Sequence, residues 1–311
     1  MSTILDAPRS GTISIGALAL DHGGQVDPAR LAFATYGDEG APTVLVLGGI
    51  SAGRHLLPGD EARSGWWPDV AGEGGALDPR WHRLIGVDYI GGRGDSSSPA
   101  PGERWPVITT GDQAAAIVAL LDVLGIERLH AVVGASYGGM VALALGERFA
   151  DRVAHIIPIC AAHRPHAMAT AVRSVQRRIV RLGISEGAPQ RAVAAARALA
   201  MTTYRTAAEF DERFQGNARV SDGIAHFPVD VYLDHHARDH ADSFTAESFL
   251  TLSQSLDLHR VDPQRISTAC TLICFDSDTL VPKSHVRALA AAVPGGATVT
   301  CIPSRYGHDA F

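Results

Sequence analysis

The sequence predicts an α/β fold with a mostly parallel sheet, helices on both faces of the sheet and a helical insertion. Short β-branched runs alternate with helical runs up to about residue 160, which is typical of βαβ units. Strand signals are absent from roughly the next hundred residues and return near residue 268. The simplest organisation is an α/β core, residues 1–162 and 261–311, interrupted by a helical lid domain at residues 163–260.

Each core element is predicted from an apolar run and the turn residues that bound it. Before the insertion, strands are predicted at residues 43–47, 83–89, 129–134 and 153–160, and a helix at 112–126. The insertion is rich in Arg, Ala, Gln and Glu, and its helical runs lie at residues 167–182, 188–204, 206–214 and 245–259. After a boundary at Asp262-Pro263, strands are predicted at 268–276 and 297–303, with a helix at 285–293.

Composition and charge exclude several classes of partner. The 311 residues carry a net charge of −6, so no basic excess points to nucleic acid. The longest apolar runs are far shorter than the ~20 residues that a membrane span needs. The N-terminus lacks the charged and apolar regions of a signal peptide. We therefore expect a cytoplasmic protein that binds neither nucleic acid nor a membrane.

Neither the cysteines nor the histidines form a metal-ligand pattern. The four cysteines lie in apolar runs without a CxxC pair, which favours buried free thiols in a reducing compartment. His235, His236 and His240 lie in DHHARDH, without an HExxH pattern, and a solvated helix face is the simpler interpretation. No metal and no tightly bound cofactor is expected.

Two stretches match Gly-x-Ser-x-Gly, around Ser51 and around Ser136. A nucleophile elbow needs a strand before its serine and a helix after it, because the tight turn between them exposes the hydroxyl. Ser136 has both, and Gly138 and Gly139 allow the helix to approach the strand closely. The residues after Ser51 do not form a long helical run. Ser136 is therefore the predicted nucleophile.

The stretch around Ser51 lies where an oxyanion loop is expected, after an early strand and upstream of the elbow. The backbone N–H groups of Ile50 and Tyr137 would together stabilise a tetrahedral oxyanion. The alternative is that this stretch is only a structural Gly-Gly turn.

A serine nucleophile needs a base that is oriented by a carboxylate. Two acids, Asp276 and Asp278, follow the apolar run at 268–276, and His308 follows the last predicted strand. Asp278 and His308 are the predicted partners of Ser136, with Asp276 as the competing acid.

These residues and several longer motifs resemble the homoserine O-acyltransferase family of the α/β-hydrolase fold. The resemblance covers nearly the whole chain and includes the elbow GASYGGM, SFLTLSQSLDLHRVDP and the terminal YGHDAF. It implies the triad Ser136, Asp278 and His308. Family members continue with a last helix beyond this histidine, so we expect this sequence, which ends three residues after His308, to be cut short before that helix.

The resemblance also implies the substrates. Arg197 and Tyr204 match positions that hold the carboxylate of homoserine, and Asp309 matches the acid that holds its amino group. The elbow Ser-Tyr-Gly-Gly-Met and the loop GGISAGRHL look more like the short, succinyl-donor members. The implied activity is ping-pong transfer from succinyl-CoA to L-homoserine in methionine biosynthesis. The implied assembly is a homodimer packed through the lid helices.

Three other functions remain open. A homoserine or serine O-acetyltransferase would use the same triad. A plain esterase would too, although it has no need of the clamp formed by Arg197, Tyr204 and Asp309. A non-catalytic binding protein of the same fold would not need an intact Ser–His–Asp set.

Arg54 is the predicted determinant of the acyl donor. A succinyl group carries a distal carboxylate, whose burial is costly without a cationic partner. Arg54 lies four residues after Ile50, and its planar guanidinium can bind a carboxylate bidentately. The alternative is that Arg54 is a surface residue or pairs with Asp60 or Glu61.

Overall fold

The fold is built on an eight-stranded sheet, seen in a computed structural model that describes residues 9–58 and 65–311. The strands of the described residues are β1 Arg9–Ala19, β2 Gln25–Tyr36, β3 Thr43–Leu47, β4 Arg83–Val87, β5 Ala131–Ala135, β6 His155–Ile159, β7 Arg219–Ser221, β8 Ile224–His226, β9 Ala269–Phe275 and β10 Ala297–Ile302. The helices are α1 Pro68–Ala71, α2 Thr110–Val123, α3 Tyr137–Arg148, α4 Ala167–Ser185, α5 Pro189–Tyr204, α6 Ala207–Arg213, α7 Pro228–Ala241, α8 Ala246–Leu258 and α9 Lys283–Ala292.

The strand order in the main sheet is β1-β2-β4-β3-β5-β6-β9-β10. The pairs from β4 through β10 are parallel, whereas β1 pairs antiparallel with β2 and β2 pairs antiparallel with β4. The predicted α/β class with a mostly parallel sheet is confirmed. The hairpin formed by β1 and β2 was not predicted, and it extends the sheet at one edge.

Both faces of the central strands are buried, which explains why β3 is a continuous apolar run. Leu45 and Leu47 pack in one apolar cluster with α2 and α3, while Val44 and Val46 pack in a second cluster near Trp67. Successive side chains of a strand point to opposite faces, so each cluster covers one face of the sheet. In the described part of the chain, no helix is long and apolar enough to cross a membrane.

The segment between β6 and β9 is mainly helical, as predicted, and contains α4 to α8. The expectation that it has no strands is wrong at one point, because β7 and β8 form a short antiparallel hairpin. Asp222 and Gly223 form its two-residue turn with φ of 51° and 76°. An Asp-Gly pair is favoured in such turns because both residues need positive φ. That dipeptide was the signal for the hairpin.

The two ends of this segment meet. The backbone N–H of Val261 donates to the carbonyl oxygen of His163, at 3.0 Å. Next to them, buried His259 has its Nε2 3.0 Å from the carbonyl oxygen of Ala162 and its Nδ1 2.8 Å from the hydroxyl of Thr110. Burial lowers the pKa of His259 to about 3, so the ring is neutral at pH 7. The end of α8 is therefore tied to the sheet layer and to the start of α2.

Candidate active site

Ser136 lies in a tight turn between β5 and α3. Its φ of 53° and ψ of −113° are strained for a residue with a side chain. The turn is held by a 2.8 Å hydrogen bond from the Ser136 N–H to the carbonyl oxygen of Ile159. A Cβ at Gly134 would collide with the carbonyl oxygen of Gly138, and a Cβ at Gly138 with that of Leu47. Glycine at both positions lets α3 begin directly against the sheet.

The structure brings the three predicted catalytic residues together. His308 Nε2 lies 2.8 Å from Ser136 Oγ, and His308 Nδ1 lies 2.8 Å from Asp278 Oδ2. The other carboxylate oxygen of Asp278 accepts the backbone N–H groups of Leu280, at 2.9 Å, and Val281, at 3.0 Å. Asp278 is thus fixed by its own loop, so it can hold the proton of His308 on Nδ1 and leave Nε2 free to accept.

The competing acid, Asp276, is directed elsewhere. Its Oδ1 accepts the backbone N–H of Ser304 at 3.0 Å, and its side chain is exposed. It therefore stabilises the loop after β10, whereas Asp278 contacts the imidazole of His308.

Asp278 and His308 strengthen one another as a charge pair, although both are buried. Burial alone would lower the pKa of His308, but the charge of Asp278 and its hydrogen bond raise it overall. Burial would also raise the pKa of Asp278, but the charge of His308 and the hydrogen bonds to the carboxylate lower it overall. The imidazole is thus a stronger base than an isolated histidine, which suits removal of the Ser136 proton.

Cys160 lies beside the same pair. Its sulfur and the nearest ligand atoms of Asp278 and His308 lie within 4.8 Å of one another. Burial raises the pKa of the thiol well above its usual value, so the thiol stays neutral. Asp278 and His308 are hydrogen-bonded to each other, so their atoms in this cluster belong to the triad.

Ser136 and His308 both line a cavity. The helices α4, α5 and α8 and the loop after β9 contribute to its wall. Its charged and hydrogen-bonding wall residues include Arg164, His166, Arg173, Gln176, Arg197, Tyr204, Ser253 and His285. Within the described ranges no Asp or Glu lines this cavity, so its wall is cationic.

The structure places Arg197 and Tyr204, the predicted carboxylate clamp, on this wall. The Arg197 guanidinium lies 5.2 Å from the centre of the Tyr204 ring. The Tyr204 ring in turn lies 6.0 Å from that of His308. The Nε of Arg197 is buried and, among the described residues, has no hydrogen-bond partner. A bound anion would satisfy this donor next to the triad.

The two predicted oxyanion donors lie beside Ser136. Tyr137 is the first residue of α3, where the helix offers no acceptor for the backbone N–H. Ile50 lines the cavity, and a Cβ on neighbouring Gly49 would lie only 3.9 Å from the Cβ of Ser136. This geometry is compatible with the predicted oxyanion hole.

Asp309 does not line the cavity. Its Oδ2 lies 3.2 Å from Nε of Arg205, the residue that follows α5. The amino-group contact assigned to Asp309 therefore stays a prediction.

Arg54 does not reach the cavity either, contrary to the prediction. Its guanidinium is buried and pairs with both Asp88 and Asp95, and its backbone N–H donates to Asp88 at 2.7 Å. With both terminal nitrogens bound to carboxylates, Arg54 has no free charge to offer an acyl group. The alternative partners, Asp60 and Glu61, lie outside the described residues.

Other polar wall residues were missed by the sequence reasoning. Arg173 and Gln176 lie three residues apart on α4, and their common helical face was the available signal. Arg164, His166 and His285 come from a loop and from the start of α9. No motif marks these three positions.

A serine, an aspartate and a histidine in this chain order, each in a loop after a strand of the sheet, define the nucleophile, acid and base of an α/β-hydrolase site. A family model for the alpha/beta hydrolase fold matches residues 42–311. The chain is 38% identical over 309 residues to a homoserine O-succinyltransferase of Xanthomonas campestris pv. campestris, which covers 98% of this chain and 81% of that protein. A homoserine O-acetyltransferase of Clavibacter michiganensis is 32% identical, covering 96% of this chain and 87% of that protein. The chain therefore belongs to the homoserine O-acyltransferase family, an enzyme family of the α/β-hydrolase fold.

Solved structures share the fold. A homoserine O-acetyltransferase from Bacillus anthracis superposes with a TM-score of 0.88 at 18% identity, covering 97% of this chain and 93% of that one. Esterase E22 gives a TM-score of 0.86 at 20% identity, covering 97% and 95%. The same architecture thus occurs both in a transferase and in a hydrolase.

Proposed function

We propose that the protein is a homoserine O-succinyltransferase, which transfers the succinyl group of succinyl-CoA to the hydroxyl of L-homoserine in methionine biosynthesis. The observation that carries this proposal is a triad that opens into a cationic cavity, on whose wall the Nε of Arg197 has no hydrogen-bond partner among the described residues. The similarity to a homoserine O-succinyltransferase along 98% of the chain supports it.

In the first half-reaction, His308 Nε2 takes the proton of Ser136 Oγ while the oxygen attacks the thioester carbonyl. The tetrahedral oxyanion accepts hydrogen bonds from the backbone N–H groups of Tyr137 and Ile50. When it collapses, the C–S bond breaks, the protonated His308 gives its proton to the leaving thiolate, and CoA departs. The enzyme is left with a succinyl ester on Ser136.

In the second half-reaction, the homoserine hydroxyl gives its proton to His308 and attacks the succinyl ester. Collapse of the intermediate forms O-succinylhomoserine and returns the proton to Ser136. Arg197 and Tyr204 would hold the acceptor's carboxylate, and Asp309 would hold its amino group on leaving Arg205. The helices over the cavity limit access of water, which favours transfer over hydrolysis.

The assembly we propose is a homodimer through the lid helices, active in the cytoplasm without a metal or a bound cofactor. Met168, Val175 and Leu182 of α4 support the dimer, because they are 66%, 47% and 63% exposed. Their spacing of seven residues puts them on one helical face. Burial of that face against a second copy would remove it from water.

A thiol-release assay of four donor–acceptor pairs tests the function. Succinyl-CoA and acetyl-CoA are each combined with L-homoserine and L-serine, and CoA release is followed with time. We expect succinyl-CoA with homoserine to have the highest kcat/KM and Ser136→Ala to be inactive. Faster reaction with acetyl-CoA would favour the second candidate, a homoserine O-acetyltransferase, to which the chain is also similar.

The acceptor separates a transferase from an esterase. Without acceptor, the wild-type protein should release about one CoA per subunit in a fast phase and gain one succinyl group in intact mass. Turnover that continues unchanged without homoserine would contradict the proposal, since it would show that water is the acceptor.

A further inference from the structure

Two buried arginines share a single carboxylate where α4 packs against α8. Nε and Nη2 of Arg173 donate to Oδ1 of Asp257, Nε at 2.8 Å, and Nη1 of Arg177 donates to its Oδ2 at 2.6 Å. The three side chains are only 13%, 10% and 11% exposed. The cluster therefore carries one positive charge more than its carboxylate neutralises, and a buried charge is costly without a partner.

The two arginines use their donors differently. Arg177 donates from Nη1 also to the carbonyl oxygen and hydroxyl of Ser253, and from Nη2 to Ser174. Arg173 has no partner beyond Asp257 among the described residues. Because Nε and one side of Nη2 meet Asp257, the end of the guanidinium formed by Nη1 and Nη2 stays available. That end can bind a carboxylate through two parallel hydrogen bonds.

Arg173 is the arginine of this cluster that belongs to the cavity of the triad. Arg173 lines the cavity together with Ser136 and His308, whereas Arg177 lines a separate groove outside it. Gln176, which is 5% exposed, lies near Arg173 on the same wall and adds an amide donor. The positive charge of Arg173 also opposes protonation of His308, so its field extends to the reacting centre.

We propose that Arg173, supported by Gln176, binds the distal carboxylate of a dicarboxylic acyl group, and so selects the donor thioester; the inference rests on the proposed acyl transfer. The cavity then holds two anion sites on different helices. Arg197 on α5 serves the carboxylate of the acceptor, and Arg173 on α4 serves that of the acyl group. An acetyl group brings no anion to Arg173 and would leave the excess positive charge of the cluster uncompensated.

Two donors of equal chain length test this subsite. Succinyl-CoA and butyryl-CoA differ in the carboxylate that replaces a terminal methyl group. Single-turnover acylation of Ser136 is measured without acceptor, by CoA release and by intact mass. Arg173→Leu should slow acylation by succinyl-CoA about 100-fold, the order expected for a lost charged hydrogen-bonded pair. Acylation by butyryl-CoA should change by less than about threefold, because Asp257 keeps Arg177 as its partner.

Two further variants complete the comparison. Arg178→Leu removes an exposed arginine of the same helix that lies in the outer groove, and it should change neither rate. Arg173→Lys keeps the positive charge but not the planar guanidinium that binds a carboxylate bidentately. Its rate of acylation by succinyl-CoA should therefore lie between those of Arg173→Leu and the wild-type protein.

The outcomes separate this inference from the proposed function. If Arg173→Leu keeps the wild-type ratio of succinyl to butyryl rates, or lowers both equally, the carboxylate subsite is overturned while acyl transfer stands. A wild-type protein that does not prefer succinyl-CoA over butyryl-CoA overturns it as well. If no thioester acylates Ser136, the proposed function fails and the subsite fails with it.

Discussion

Replacement of Asp278 by Asn tests how the triad holds its proton. In the structure, Oδ1 of Asp278 accepts two backbone N–H groups and Oδ2 faces Nδ1 of His308. The amide oxygen of the asparagine must take the place of Oδ1, because the amide NH₂ group cannot accept hydrogen bonds from the two backbone N–H groups. The NH₂ then faces Nδ1, which has to become an acceptor. The imidazole proton moves to Nε2, and His308 can no longer accept the proton of Ser136.

The cost follows from this tautomer change. In serine hydrolases the same exchange lowers kcat about 10⁴-fold, and we expect acylation of Ser136 to fall by about 10³- to 10⁴-fold, or roughly 4–5.5 kcal/mol in barrier height. The pH profile should change as well. Asp278 raises the pKa of His308, and the base acts only when it is neutral. Without the carboxylate, the pKa falls and the acidic limb of the profile moves to lower pH.

The assay is single-turnover CoA release from succinyl-CoA across a range of pH, with thermal unfolding as a check on the fold. Asp276→Asn is the matched control, because its carboxylate holds the N–H of Ser304 and does not contact His308. The control should stay within about threefold of wild type. An equal loss in both variants, or an Asp278→Asn variant within tenfold of wild type, would refute the reasoning.

Three other predictions concern the acceptor, the elbow and the joint at the end of α8. Arg197→Ala should raise KM for homoserine roughly 30- to 150-fold and leave the CoA burst nearly intact; equal loss in both half-reactions would mark a structural role. Gly138→Ala should lower the free energy of unfolding in urea by about 1–3 kcal/mol, since its Cβ meets the carbonyl oxygen of Leu47. Gly295→Ala, which faces open space, should change it little. His259 takes up a proton near the ordinary histidine pKa of 6.5 in the unfolded chain, but only near pH 3 in the folded protein. The free energy of unfolding should therefore fall by about 1.4 kcal/mol per pH unit as the pH falls below 6.5. Urea unfolding between pH 6.5 and 5 measures this slope, and His259→Gln should make the slope smaller.

The parallel strands could be predicted because burial on both faces makes them uniformly apolar. The first hairpin could not be found in this way. The strand β1 is exposed along much of its length and contains Gly11 and Gly16, while β2 contains Pro28. Glycine and proline interrupt the alternation that identifies an edge strand. The pairing of β1 with β2 therefore depends on the tertiary structure rather than on a local sequence pattern.

The triad followed from chain order and from the elbow motif, with Asp278 predicted as the acid and Asp276 as its competitor. Asp276 and Asp278 lie two residues apart after the same strand, and only the path of the loop decides which one meets His308. The prediction for Arg54 failed for a related reason. Its partners, Asp88 and Asp95, are 34 and 41 residues away in the chain, a separation at which no local signal reports an ion pair.

The contact between the carbonyl of His163 and the N–H of Val261 has a consequence for how such proteins diversify. The segment of roughly a hundred residues between them leaves and rejoins the sheet layer at two residues that contact each other. Such a loop changes its closure entropy only slowly with length. The segment that carries Arg173 and Arg197 can therefore change in length at little entropic cost, while the strands that carry Ser136 keep their registers. Such changes would alter the wall of the cavity and leave Ser136, Asp278 and His308 in place.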